Sequence, residues 1–136
     1  MSLETVLPIP DKWKVKDVVA YKVYELDPDR TLHSVVWATG NEFFIGQSYR
    51  DYGKYDVASF SKPFTQYETG WHTFVTIKSA WQWLKLIADT LEDRYENFVI
   101  VKVIMREPVA YGVNDLGSRT IVFKYKTLIE EVSYEH

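Results

Sequence analysis

Val18–Leu26 alternates strictly, with Val19, Tyr21 and Val23 on one face and Ala20, Lys22 and Tyr24 on the other. That is the period of a β-strand. Asp27-Pro28-Asp29-Arg30 follows, and it carries turn chemistry, because proline presets φ and aspartate bonds the corner. Residues 31–38 resume the strand pattern, so the pair reads as a β-hairpin. Gly40-Asn41 breaks the chain, and residues 42–45 form a short third strand before Gly46. Residues 98–105 are apolar at nearly every position and rich in Val and Ile. Such a run predicts a central strand covered on both faces, which Pro108 should end or mark as an edge. After a turn at 114–117, residues 119–128 set Ile121, Phe123 and Tyr125 against Val122, Lys124 and Lys126. This predicts a last strand with one face in water.

One stretch has helical rather than strand periodicity. Ile77, Ala80, Trp81, Leu84, Ala88 and Leu91 fall on an i, i+3, i+4, i+7 stripe with Ile87 beside it, and Thr76 suits the N-cap. Trp83 and Leu86 lie off that stripe and predict a contact, either within the chain or between copies of it. Together the elements define an α+β fold: a curved, mostly antiparallel sheet with one principal helix, about residues 77–91, packed on it. A length of 136 residues suits a single domain over 1–136, with Pro8 and Pro10 holding 1–14 as an extended N-terminal segment. Residues 46–70 are least regular but full of rings, and predict an ordered excursion laid over one face of the sheet.

Composition narrows the function classes. Five Trp, ten Tyr and seven Phe exceed what a core of this size needs and leave rings for a binding surface. A formal charge of −3 gives no footprint for general nucleic-acid binding. No apolar run approaches the ~18–20 residues of a membrane helix, so no membrane partner is expected. The absence of cysteine removes disulfides and thiolate chemistry and suits a cytoplasmic setting. His33, His72 and His136 lack metal-ligand spacing, so no metal is expected. Neither a phosphate-binding glycine loop nor a serine elbow is present, and no cofactor is implied by motif. Cations do interleave with rings at Tyr49-Arg50, Lys54-Tyr55 and Lys62-Pro63-Phe64. That pattern suits either one nucleobase or nicotinamide, or an amphipathic loop burying ring faces.

Candidate chemistry centres on Gly70-Trp71-His72-Thr73-Phe74, a short strand running into the helix. His72 can act as acid, base or donor near neutral pH, and Thr73, Thr76 and the helix N-terminus could complete a polar site. Equally, the histidine could serve only to cap the helix or bond a loop carbonyl. Tyr21, Trp71, His72, Thr73 and Thr76 are therefore the ligand-binding candidates, and Trp83 and Leu86 the interface candidates.

Tyr21-Lys22-Val23, residues 70–76 with Ala80, and the run 99–103 resemble the motifs of small phage- and prophage-associated domains of unknown function. That resemblance covers most of the chain and implies no activity. Trp71–Phe74 followed by Lys78-Ser79-Ala80 is also similar to the order of elements in the ADP-ribosyltransferase-like fold. There a His or Arg stands on the first core strand, where this chain has Tyr21 and Lys22. The middle tyrosine position would fall on His72 or Thr73, and Glu130 is nearest by order to the catalytic glutamate. The leading expectation is a binding protein of viral or prophage type with an aromatic-lined cleft near His72, its partner a small molecule or a host protein. An NAD-using transferase and a self-associating structural protein, a homo-oligomer, are the alternatives.

Overall fold

The structure is a computed structural model, and it describes residues 3–35, 42–52, 56–59 and 65–134. The elements are β1 (Leu3–Leu7), β2 (Val18–Leu26), β3 (Leu32–Ser34), β4 (Glu42–Phe43), β5 (Ser48–Arg50), β6 (Asp56–Ser59), β7 (Thr65–Glu68), β8 (Trp71–Phe74), α1 (Ile77–Thr90), β9 (Phe98–Asn114) and β10 (Arg119–Val132). All strand pairings are antiparallel, and the fold is the α+β arrangement expected from the sequence. The β2–β3 hairpin closes through Asp27, whose N–H donates to Thr31 O and whose carbonyl accepts from Arg30 N. Part of the expected second strand and several rings of the excursion, Tyr55, Phe60 and Phe64 among them, lie outside the described residues.

The sheet closes on itself. β2 pairs with β9 along Val18–Glu25 and touches β8 at Tyr21↔Phe74, while β8 and β9 both pair with β10. Those four strands form a ring, extended by β3 and β4 beyond β2 and by β5 beside β10. β6 and β7 make a separate hairpin. Strand alternation then sorts side chains to two sides. Val18, Ala20 and Tyr24 of β2 join Val101, Val103, Met105, Ile121, Phe123 and Leu128 in the larger core. Val23, Phe98 and Ile100 face the helix.

Several features refine or correct the sequence expectation, each for a physical reason. Of the two expectations for Pro108, the edge holds and the strand end does not, since β9 runs on to Asn114. Val18 pairs with Met105 and Leu7 with Tyr111, so the stretch around Pro108 falls in a gap between β2 and β1 and no ladder there asks for its missing N–H. A bulge accompanies it, with Phe123 opposite Pro108, Val122 opposite Ala110, and Glu107 at φ 58°. The last strand has no wet face at Lys124 and Lys126, both buried, because the sheet closes on itself: Lys126 meets the rings of Tyr24, Phe43, Tyr49 and Trp71, and Lys124 lies 3.5 Å from Glu68, a closure that periodicity does not register. The helix ends at Thr90 with Leu91 exposed, and its covered face is Ala80, Trp83, Leu84 and Ala88. That set is itself an i, i+3, i+4, i+8 stripe, turned slightly from the expected one. Trp83 therefore makes its contact within the chain, packing on Phe74, while Leu86 stays in water.

The expected central strand is present. Val101 and Val103 are fully buried, Phe98 and Ile100 are covered on the opposite side, and Val99 is half-buried.

Candidate functional site

β8 is built as the sequence pattern suggests, a strand of four residues leading into a capped helix. Gly70 precedes it because a Cβ there would come within 2.6 Å of Phe123 O, so the entry to β8 passes hard against β10. Thr76 Oγ1 accepts from Ser79 N, the expected N-cap. Between these ends, alternation sends Trp71 and Thr73 to one side and His72 to the other.

His72 sits in a small outer cluster with Tyr67. Its Nε2 lies 2.9 Å from the Tyr67 hydroxyl, which also accepts from Leu3 N at 3.0 Å. Burial, reinforced by the nearby Lys22 charge, pulls the imidazole down to about 3. At neutral pH it is therefore uncharged. The Tyr67 hydroxyl thus ties Leu3 N–H to the His72 ring, with the direction of the Tyr67–His72 bond set by the imidazole tautomer. That is a satisfied position joining β1, β7 and β8.

The other expected site residues are dispersed. Tyr21 packs with the helix-facing cluster. Thr73 is buried with its hydroxyl donating to Ile121 O. Thr76 is the exposed cap. Glu130 is exposed on β10 opposite Lys102. Of the set, Trp71 and Thr73 share the inner side of β8, and Trp71 alone reaches an unusual group.

That group is Lys126. It is fully buried, and its ammonium nitrogen lies 3.6 Å from the Trp71 ring centroid and 3.9 Å from that of Phe43, with Tyr24 at 5.1 Å and Tyr49 at 5.8 Å. Phe43 holds the rings together, edge-on to Tyr49 and to Trp71. Three polar atoms in this cluster are buried without a hydrogen-bond partner among the described residues: Lys126 Nζ, Trp71 Nε1 and Tyr24 Oη. Ring faces attract a cation, by on the order of 2 kcal/mol when desolvated. Burying the ion costs several kcal/mol, so deprotonation wins. Burial, aided by the Lys22 charge against a weaker pull from Asp51, takes the Lys126 amine from its ordinary 10.5 to about 5. It is a free amine at neutral pH.

Lys22 is its foil. Its Nζ donates to His72 O at 2.9 Å, and burial lowers it only to about 8. Burial also raises the Tyr24 phenol well above its usual value, with Tyr49 adding to the effect, so the hydroxyl keeps its proton. The cluster thus offers an amine with a lone pair and two neutral donors against a wall of rings. Sequence reasoning passed over Lys126 because strand alternation placed it in water. The available signal was a lysine in an aromatic-rich chain, at a position whose facing layer could not be read.

Comparison with protein-family models, with curated proteins and with solved structures finds no match. No helix among the described residues is long and apolar enough to cross a membrane. No group of His, Cys, Asp or Glu among them is placed to hold a metal.

Proposed function

We propose that this chain is a small-ligand-binding domain whose seat is the aromatic cluster of Tyr24, Phe43, Tyr49 and Trp71 around Lys126. Trp71 links this seat to the expected cleft near His72, but the histidine belongs to the opposite side of β8. One observation carries the reading: three buried polar atoms on residues of a single ring cluster, Lys126 Nζ, Trp71 Nε1 and Tyr24 Oη, stand without hydrogen-bond partners among the described residues. An unmade buried hydrogen bond costs about 1–3 kcal/mol, and native proteins keep few of them without a use. A flat apolar molecule with a carbonyl or carboxyl oxygen would meet the donors with its oxygen and the rings with its face. Phage association, a cytoplasmic setting and a host partner are compatible with such a domain.

Titration calorimetry with benzoate tests this reading. Saturable binding by the wild type that is lost in Lys126→Met and Trp71→Phe, and kept in Thr76→Ala, is expected. Failure of benzoate to bind, or equal binding by Lys126→Met, would overturn it.

A further inference from the structure

We propose that Lys126 is a covalent site, whose ε-amine condenses with the carbonyl of a small aromatic aldehyde or ketone to form an imine. The inference rests on the Lys126 cluster being a ligand seat, and names the chemistry of that seat. An amine reacts with a carbonyl only through its free lone pair, and a lysine gains that pair when it is desolvated and unpartnered. Lys126 meets both conditions: it is fully buried, and its nitrogen has no hydrogen-bond partner among the described residues. Lys22, half-buried, does not, because its nitrogen is engaged by His72 O. The four rings within 5.8 Å of Lys126 Nζ supply flat faces for an aromatic carbonyl compound.

The step balances within the seat. The nitrogen lone pair adds to the carbonyl carbon, forming C–N, and the C=O π pair moves onto oxygen. Trp71 Nε1–H and the Tyr24 hydroxyl, buried without partners among the described residues on two of the rings that surround Lys126, would serve as donors to that oxygen. The two amine protons pass to the oxygen, it leaves as water, and C=N remains. Nothing is oxidised or reduced. Exclusion of water from the closed cluster then protects the imine from hydrolysis. Entry passes through the Phe43 and Tyr49 wall, carried on two short peripheral ladders: β4 pairs with β3 at two positions and β5 with β10 at three. Short ladders open locally at less cost than a central one.

Reductive trapping decides the matter. The full chain is incubated with benzaldehyde and sodium cyanoborohydride, and benzylated lysines are mapped by mass spectrometry. Exposed lysines are almost wholly protonated near pH 6 and gain reactivity about tenfold per pH unit. Lys126 should be benzylated at least about tenfold faster than any exposed lysine near pH 6, with a rate nearly flat to pH 8. Lys126→Met, folded by circular dichroism, should lose that fast phase. Benzylation confined to exposed lysines or to Lys22 would overturn the proposal. If benzoate binds while Lys126 is never trapped, the imine falls and the seat stands; if benzoate also fails to bind, both fall.

Discussion

Protonation of single side chains makes the stability of this protein depend on pH in a direction that can be worked out residue by residue. Lys126 binds a proton in the unfolded chain up to its ordinary 10.5, but in the folded chain only below about 5. Within that window the unfolded state holds the extra proton, so stability rises with pH, at up to about 1.4 kcal/mol per unit. Below about 5 both states are protonated and this contribution is level. His72 acts in the same sense over a lower window, from about 3 in the folded chain to its ordinary 6.5. Denaturant melts between about pH 6.5 and 8 therefore isolate Lys126, lying above the His72 window and mostly below that of Lys22. Lys126→Met should flatten the slope there and raise stability near neutral pH by about 1–3 kcal/mol, since an unpartnered polar atom is removed and the thioether fits among rings. An unchanged slope would mean that the rings hold a charged ammonium. His72→Leu should do the reverse near neutral pH. It removes the part-buried bond between Tyr67 and His72 and costs about 1–3 kcal/mol, while flattening the acid limb below about pH 6.5.

Elements show why the fold was more legible than the site. The β2 alternation, the turn at 27–30, the capped helix and the apolar β9 run are local signals, and each appears where its residues place it. What the local pattern lacks is the identity of the facing layer. Lys124 and Lys126 carry the polar half of a period-2 pattern, yet the sheet closes over them, so the half that looks wet is inside. The same blindness affected His72. Its motif residues are real features of β8, but Gly70 is there for the close approach to Phe123 O and Thr76 for the cap. Chemistry read into neighbours along a strand is divided between two sides by the pleat. The helix supplies a test of its rotated face. Trp83→Ala should cost about 3–5 kcal/mol by leaving a cavity beside Phe74, whereas Leu86→Glu should change stability by less than about 0.5 kcal/mol. Sedimentation of Leu86→Glu and wild type at high concentration checks the remaining interface candidate, and self-association through this strip predicts that only the wild type forms a larger species.

At the scale of the molecule, the four-strand ring divides the protein into a firm part and a part able to yield. β9 and β10 pair from Val113↔Arg119 to Ile100↔Val132 and carry most of the larger core, with Phe98 and Ile100 of β9 reaching into the helix-facing one. The β1 strand is locked against β9 where a Cβ on Gly112 would fall 1.8 Å from Thr5 O. By contrast, β4 and β5 hold Phe43 and Tyr49 over Lys126 through few ladder positions and a turn docked by Gly46 N–H to Leu128 O. Local opening free energies range from near zero up to the global value, and short peripheral ladders sit at the low end. Native-state amide exchange should therefore show residues 42–50 opening at a cost on the order of 2 kcal/mol or more below that of β9 and β10. Saturating benzoate should slow exchange in 42–50 of the wild type, because a ligand bound inside adds its binding free energy to the cost of opening, and should leave Lys126→Met unchanged. If 42–50 exchanges as slowly as β9, the Phe43 and Tyr49 wall opens only with the whole fold. A seat reached through that wall would then be closed to any ligand on the timescale of binding.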